Sequence, residues 1–241
     1  MKFAEKLAAR RADNDNRPVP AIAFLGDSVT QGCFEVYTNA KHEIVPVFDQ
    51  SASYEACLAK IFSVLYPNAP VTVINAGISG NTAGQGLRRL ERDVLRYQPE
   101  LTVVCFALND SLSGVEKIDS YTQALRDIFS RLRDAGSEII FMTPNMMATE
   151  VDPRTEPGGI REAAEMCCRV QNDGVLDAYI DAAKALCGEM EVPVCDCYGI
   201  WKRLHGMGVD TNELLSNRIN HPTREMNWLF ALELSRMILG L

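Results

Sequence analysis

The stretch 22–32, IAFLGDSVTQG, constrains the chain more tightly than any other. Its first half is apolar without a helical period and stops at a Gly-Asp-Ser triplet, the pattern of a buried parallel strand that ends in a functional turn. Ser28 then stands at the carboxyl end of that strand. Open α/β sheets place their chemistry there, because loops converge over helix N-termini whose unpaired N–H groups hold developing negative charge. Small polar residues after a strand are also ordinary turn chemistry. The triplet therefore makes Ser28 a candidate nucleophile only in company with other segments.

The rest of the chain repeats the strand-then-helix pattern. Apolar runs predict strands at 21–25, 71–75, 101–108, 138–142 and 192–195, the third uniformly apolar and so central. Helical periodicity covers 53–66, where Tyr54, Cys57, Leu58, Ile61, Phe62 and Leu65 form one face, then 82–97, 118–134 and 160–190, the last interrupted at 172–174. Pro222 suits the first position of a final helix ending near Leu239. This alternation predicts an α/β fold: a three-layer α/β/α sandwich with a five-stranded parallel sheet and right-handed crossovers. Residues 33–50 read as a small hairpin or flap beside Ser28. Residues 143–159, with three prolines and two glycines, read as a long pocket-shaping loop whose methionines form an adaptable wall. Residues 201–220 read as irregular with short helical turns.

At 241 residues and 47% hydrophobic composition the chain can bury one full core. The expected organisation is a charged N-terminal surface extension, 1–18, and one domain, 19–241. The net charge of -8 offers no basic surface, so the expected partner is a small molecule and not nucleic acid. No apolar run reaches the length of a signal peptide or a membrane span, which predicts no stable membrane insertion and a cytoplasmic location. The eight cysteines read as reduced, mostly buried thiols. Cys167-Cys168 and Cys195-x-Cys197 lack zinc-site spacing, so neither a metal nor a disulfide is expected.

Two further strands end in small or amide residues, at Asn75-Ala-Gly-Ile-Ser-Gly-Asn-Thr82 and Ala107-Leu-Asn-Asp110. Sheet geometry brings both ends beside Ser28. A serine attacking a carbonyl needs preorganised donors for the oxyanion, each worth roughly 3 kcal/mol. Gly80 can supply a backbone N–H, Asn109 a side-chain amide N–H, and Ser28 its own backbone N–H. Taken singly, Gly80 reads equally as a tight turn and Asn109 as a cap. A base is also required, and the chain has three histidines. His42 and His205 lack companion motifs and read as surface or packing residues. His221 sits directly before the last helix, where it can reach over the sheet edge toward Ser28.

In this order, GDSVTQG, ISGNT, LND and NHP resemble the four blocks of the SGNH hydrolases, the GDSL esterase and lipase superfamily. The resemblance runs from Ala21 to about Leu239 and, over 75–110, is especially close to the bacterial lysophospholipase and thioesterase branch. It implies a flavodoxin-like sheet, no cofactor, Ser28 as nucleophile, His221 as general base, and Ser28, Gly80 and Asn109 as the oxyanion hole. Two departures stand out. Ala107 replaces the glycine of the usual GxND, and Arg218 stands where the usual DxxH has its acid. Asn217 is the nearest stand-in for orienting His221, with Asp210 and Glu213 as the nearest carboxylates; a backbone carbonyl could serve instead. The resemblance thus implies a serine esterase working through an acyl-enzyme on short-acyl, carbohydrate acetyl or lysophospholipid-type esters. Acyl transfer on the same scaffold, or a degenerate ligand-binding protein lacking the acid, are the alternatives. The sequence does not speak to oligomeric state.

Overall fold

A computed structural model describes residues 1–41, 43–155 and 157–241; His42 lies outside them. In chain order the elements are α1 (Lys2–Ala12), β1 (Ala21–Gly26), α2 (Ser28–Gln31), β2 (Cys33–Thr38), β3 (Ile44–Phe48), α3 (Tyr54–Leu65), β4 (Thr72–Gly77), α4 (Ala83–Asp93), β5 (Leu101–Cys105), α5 (Leu108–Ser111), α6 (Ile118–Asp134), β6 (Glu138–Met142), α7 (Gly159–Asn172), α8 (Val175–Glu189), β7 (Val194–Cys195), α9 (Cys197–Gly206) and α10 (Arg224–Leu239). Five strands form a parallel sheet in the order β4-β1-β5-β6-β7. Helices α1, α3 and α10 pack on one another along one face, and α4, α6 and α8 along the other. This is the three-layer α/β sandwich expected. The chain leaves β1 for β4 on one side and later for β5 on the other, so the topological switch point lies at the carboxyl end of β1, where Ser28 begins α2.

Burial follows chemistry. β5 is buried along its whole length, and Phe24, Phe106, Phe129, Phe141 and Phe230 are fully buried. All eight cysteines are free and buried.

Three expectations need correction. The first 18 residues are not simply a surface extension: α1 buries Phe3 and Leu7 completely, and Phe3 packs on Phe62 at 5.9 Å between ring centroids. The Lys2 and Phe3 backbone N–H groups donate to the Glu138 carboxylate at 3.0 and 2.8 Å, satisfying two orphan donors at that helix start. Second, the region from 201 is not wholly irregular. Asp196 caps α9 by accepting from the Gly199 N–H, and the helix buries Cys197, Tyr198 and Trp201. Third, Met146 and Met147 lie in the core and form no wall. Their loop instead supports the segment before α10, with the Ala148 N–H donating to the Ile219 carbonyl at 2.7 Å and Asn145 Nδ2 to the Asn220 carbonyl at 2.8 Å.

β2 and β3 form the expected hairpin. Cys33 pairs with Phe48 and Val36 with Pro46, so Phe34 and Glu35 together face the single residue Val47. That count is a β-bulge, which frees local backbone groups from the ladder and re-aims them.

Candidate active site

Ser28 is the first residue of the one-turn helix α2. Asp27 Oδ1 accepts the Val29 N–H at 3.0 Å, and Gly32 closes the turn in the left-handed conformation. The Ser28 N–H is among the first N–H groups of a helix, which have no intrahelical acceptor. Ser28 is 4% exposed and His221 6%, so both need partners inside the protein. They find each other: His221 Nε2 lies 2.9 Å from Ser28 Oγ. On the far side of the ring, Nδ1 lies 3.0 Å from the Phe34 carbonyl oxygen. A carbonyl only accepts, so Nδ1 carries the proton and the neutral ring offers Nε2 as an acceptor to the serine hydroxyl. Burial pushes the His221 pKa down to about 4, against the opposing pull of the Phe34 carbonyl and the Glu35 charge.

Asn217 does not orient the imidazole. Its Oδ1 accepts the successive backbone N–H groups of Ile219, Asn220 and His221 at 3.0, 3.0 and 2.9 Å, and its Nδ2 donates to Asn220 Oδ1. It shapes the loop that carries His221, and the ring's partner is the Phe34 carbonyl. Nor do the nearby carboxylates reach the ring. Glu213 pairs with Arg218, and Asp210 accepts the Asn212 N–H. His205 is exposed on α9 beside Thr211.

The other two strand ends arrive through α4 and α5. Gly80, at φ +76, occupies a left-handed turn that a side chain would strain. Its neighbours are tied in place. The Ser79 N–H donates to Gln31 Oε1 of α2 at 2.6 Å, and the Asn81 carbonyl accepts Asn109 Nδ2 at 3.0 Å. Buried Arg89 of α4 fastens these ends together, donating to the carbonyls of Gly26 and Ala76 and to Asn81 Oδ1. Asp110 Oδ1 accepts the Ala83 N–H at the start of α4. Burial raises Asp27 and Asp110 to about 7, each carboxyl partly offset by the backbone N–H it accepts. Ala107, in the place of the expected glycine, takes a positive φ of 157°.

The sequence reading does not reach Phe34, Asp27 or Arg89. Phe34 acts through its backbone, which no side-chain pattern announces; Asp27 and Arg89 carry charge but are read correctly only once their burial is known. Among the described residues no group of three or more His, Cys, Asp or Glu is placed to hold a metal ion, and no helix is long and apolar enough to cross a membrane.

Beyond the pair, a cavity of about 480 Å³ runs between the hairpin, at Val36, Thr38 and Ile44, and the stretches 152–155 and 157–160, with Asn217 in its wall. The hairpin and the loop thus flank a cavity beside the histidine loop.

The profile of the GDSL-like Lipase/Acylhydrolase family matches residues 24–229. An arylesterase of Vibrio mimicus is 31% identical over 117 residues, 46% of this chain and 58% of the relative. An acetylxylan esterase of Geobacillus stearothermophilus is 27% identical over 142 residues, 55% of this chain and 63% of the relative. The matched stretches therefore span less than two thirds of either relative's length. In three dimensions, a lipase/acylhydrolase from Enterococcus faecalis superposes with a TM-score of 0.65 at 21% identity, over 92% of this chain and 96% of that one, a likeness of fold.

Proposed function

The chain belongs to the GDSL-like Lipase/Acylhydrolase family, and from that premise we propose that it is a serine esterase that hydrolyses carboxylic esters through an acyl-enzyme. The observation that carries the reading is the 2.9 Å contact between Ser28 Oγ and His221 Nε2, with the opposite ring nitrogen held by a carbonyl. Ser28 Oγ attacks the ester carbonyl while its proton passes to Nε2. The oxyanion is received by the N–H groups of Ser28 and Gly80 and by Asn109 Nδ2. Collapse expels the alcohol, which takes the proton back from His221; water then repeats the sequence and releases the acid.

Because His221 returns its proton to the leaving alcohol, the alcohol lies on the histidine's side of the serine. We assign the alcohol to the cavity of about 480 Å³ that Asn217 and Arg218 of the histidine loop line, a volume large enough for a sugar or aryl group. Its walls mix Ile44, Val36 and Ile160 with Asp152, Arg154 and Thr155. We read this mixture as suited to a small polar or aryl alcohol bearing a short acyl group, in keeping with the esterase names of the relatives. Intact-mass labelling with a fluorophosphonate, mapped by peptide, tests the mechanism without the natural substrate. The label is expected on Ser28, and folded Ser28→Ala is expected to lose both labelling and 4-nitrophenyl acetate turnover. Turnover by that variant at the wild-type rate would overturn the reading.

A further inference from the structure

Nothing in the usual place of the triad acid orients His221, and the atom that does so belongs to a hairpin bulge. Two-stranded hairpins are marginal by themselves, and a bulge further loosens the ladder. An unsupported carbonyl there would wander by more than the few tenths of an ångström a hydrogen bond tolerates. Phe34 itself is buried, and one side chain from outside the hairpin braces the bulge further. Arg224, in the first turn of α10, donates through Nη1 and Nη2 to the Glu35 carboxylate at 2.6 and 3.2 Å and through Nε to Asp49 Oδ2 at 3.1 Å. Its guanidinium carbon also lies 4.3 Å from the centre of the Phe34 ring, a cation–π stack.

These contacts fall on the residues that carry and adjoin the carbonyl. Phe34 carries it, Glu35 follows it in the bulge, and Asp49 lies just past the end of the facing strand β3. Asp49 is itself tied to the residue just before β2, its N–H donating to the Gly32 carbonyl at 2.8 Å. Arg224 is only three residues beyond His221, so one planar fork joins the loop that carries the ring to the strand that carries its acceptor. Lysine, a point charge on a flexible stem, cannot make both the bidentate contact and the stack.

We propose that Arg224 is a positioning residue that holds the Phe34 carbonyl against His221 Nδ1, and that with Glu35 and Asp49 it replaces the absent acid of the triad. The replacement is electrostatic as well as geometric. Two carboxylates and one guanidinium leave the cluster with one net negative charge, the charge a triad acid would contribute. Hydrogen bonds hold both carboxylates below their ordinary range, from Arg224 first for Glu35 and from Ser51 and then Arg224 for Asp49, so both stay ionised at neutral pH. Arg224 and Glu35 are each partly exposed, and pairs of that kind contribute little to global stability. Variants at Arg224 are therefore expected to fold.

The experiment reads the ring directly. At neutral pH, ¹⁵N NMR of the wild type should show His221 as a single Nδ1–H tautomer. In Arg224→Ala the ring should become a mixture of tautomers, with kcat reduced on the order of ten- to a hundredfold, as small displacements of catalytic groups cost, and KM nearly unchanged. Arg224→Lys should recover only part of the loss, and Glu35→Gln should lower the acidic limb of the kcat profile by removing charge near the imidazolium. A retained single tautomer in Arg224→Ala would overturn the proposal, whether or not kcat fell. The kinetic arm rests on the esterase reading, whereas the NMR arm does not. Mixed tautomers with wild-type kcat would keep the positioning role and sink the serine–histidine mechanism instead.

Discussion

Asn217 Oδ1 gathers three successive backbone N–H groups of the histidine loop, and that arrangement separates its oxygen from its nitrogen as objects of mutation. Asn217→Asp keeps the acceptor and loses only the donation to Asn220. It is expected to retain nearly the wild-type melting temperature and rate. Asn217→Ala leaves those N–H groups without their acceptor and is expected to lower stability by about 1–3 kcal/mol and to slow turnover with it. Thermal denaturation of the two variants checks this, and equal melting temperatures would refute it. At this scale the sequence is legible where a side chain does the work. Ser28 and His221 stand out because their types and order are unusual together, and the structure sets their side chains 2.9 Å apart. The ring's acceptor is illegible, since every residue has a carbonyl and only the bulge at Phe34 and Glu35 aims this one. Ala107 marks the opposite case: the departure from glycine is visible in the sequence, but its positive φ is visible only in the structure.

Among the elements, α2 and β4 approach more closely than any side chain would allow. A Cβ on Gly77 would lie 2.3 Å from the Gln31 nitrogen and 2.6 Å from the Thr30 carbonyl carbon, both backbone atoms of the turn that Ser28 begins. Gly77→Ala must therefore displace α2. The expected result is a drop in kcat on the order of tenfold or more with a stability loss of about 1–3 kcal/mol. Gly188 on α8 serves as the control, since a Cβ there meets nothing within 4 Å. Gly188→Ala should raise stability by about 0.5–1 kcal/mol and leave kcat alone. A folded Gly77→Ala with wild-type kcat would show that α2 tolerates movement. Periodicity exposes most elements because each long helix has several apolar residues on one face. It hides α9, whose ten residues offer only Cys197, Tyr198 and Trp201 as buried positions, and it hides the docking of α1, where Phe3 and Leu7 are a single i, i+4 pair in a charged segment.

Across the whole molecule, the strand order and layers follow from the alternation of apolar runs, but the buried charges do not, because burial is a property of the assembled fold. Burial raises Asp27, Glu55 and Asp110 to about 7, while an unfolded chain releases such protons near 4. Between these limits the folded state holds more protons, and stability falls as pH rises toward 7. His221 works in the opposite direction. Its pKa of about 4 in the fold means that the unfolded chain gains a proton below about 6.5 that the folded ring refuses. Three groups outweigh one. The melting temperature is therefore expected to be higher at pH 5.5 than at pH 8, by about 5 °C or more. A higher value at pH 8 would mean that these carboxyls are ionised in the fold. The carbonyl that faces His221 has a different kind of consequence, one of inheritance. No codon at position 34 can delete it, since all twenty residues bring a carbonyl. An alanine scan would count two members in this site where a triad yields three, and mutation can reach the third only by bending the chain that presents it.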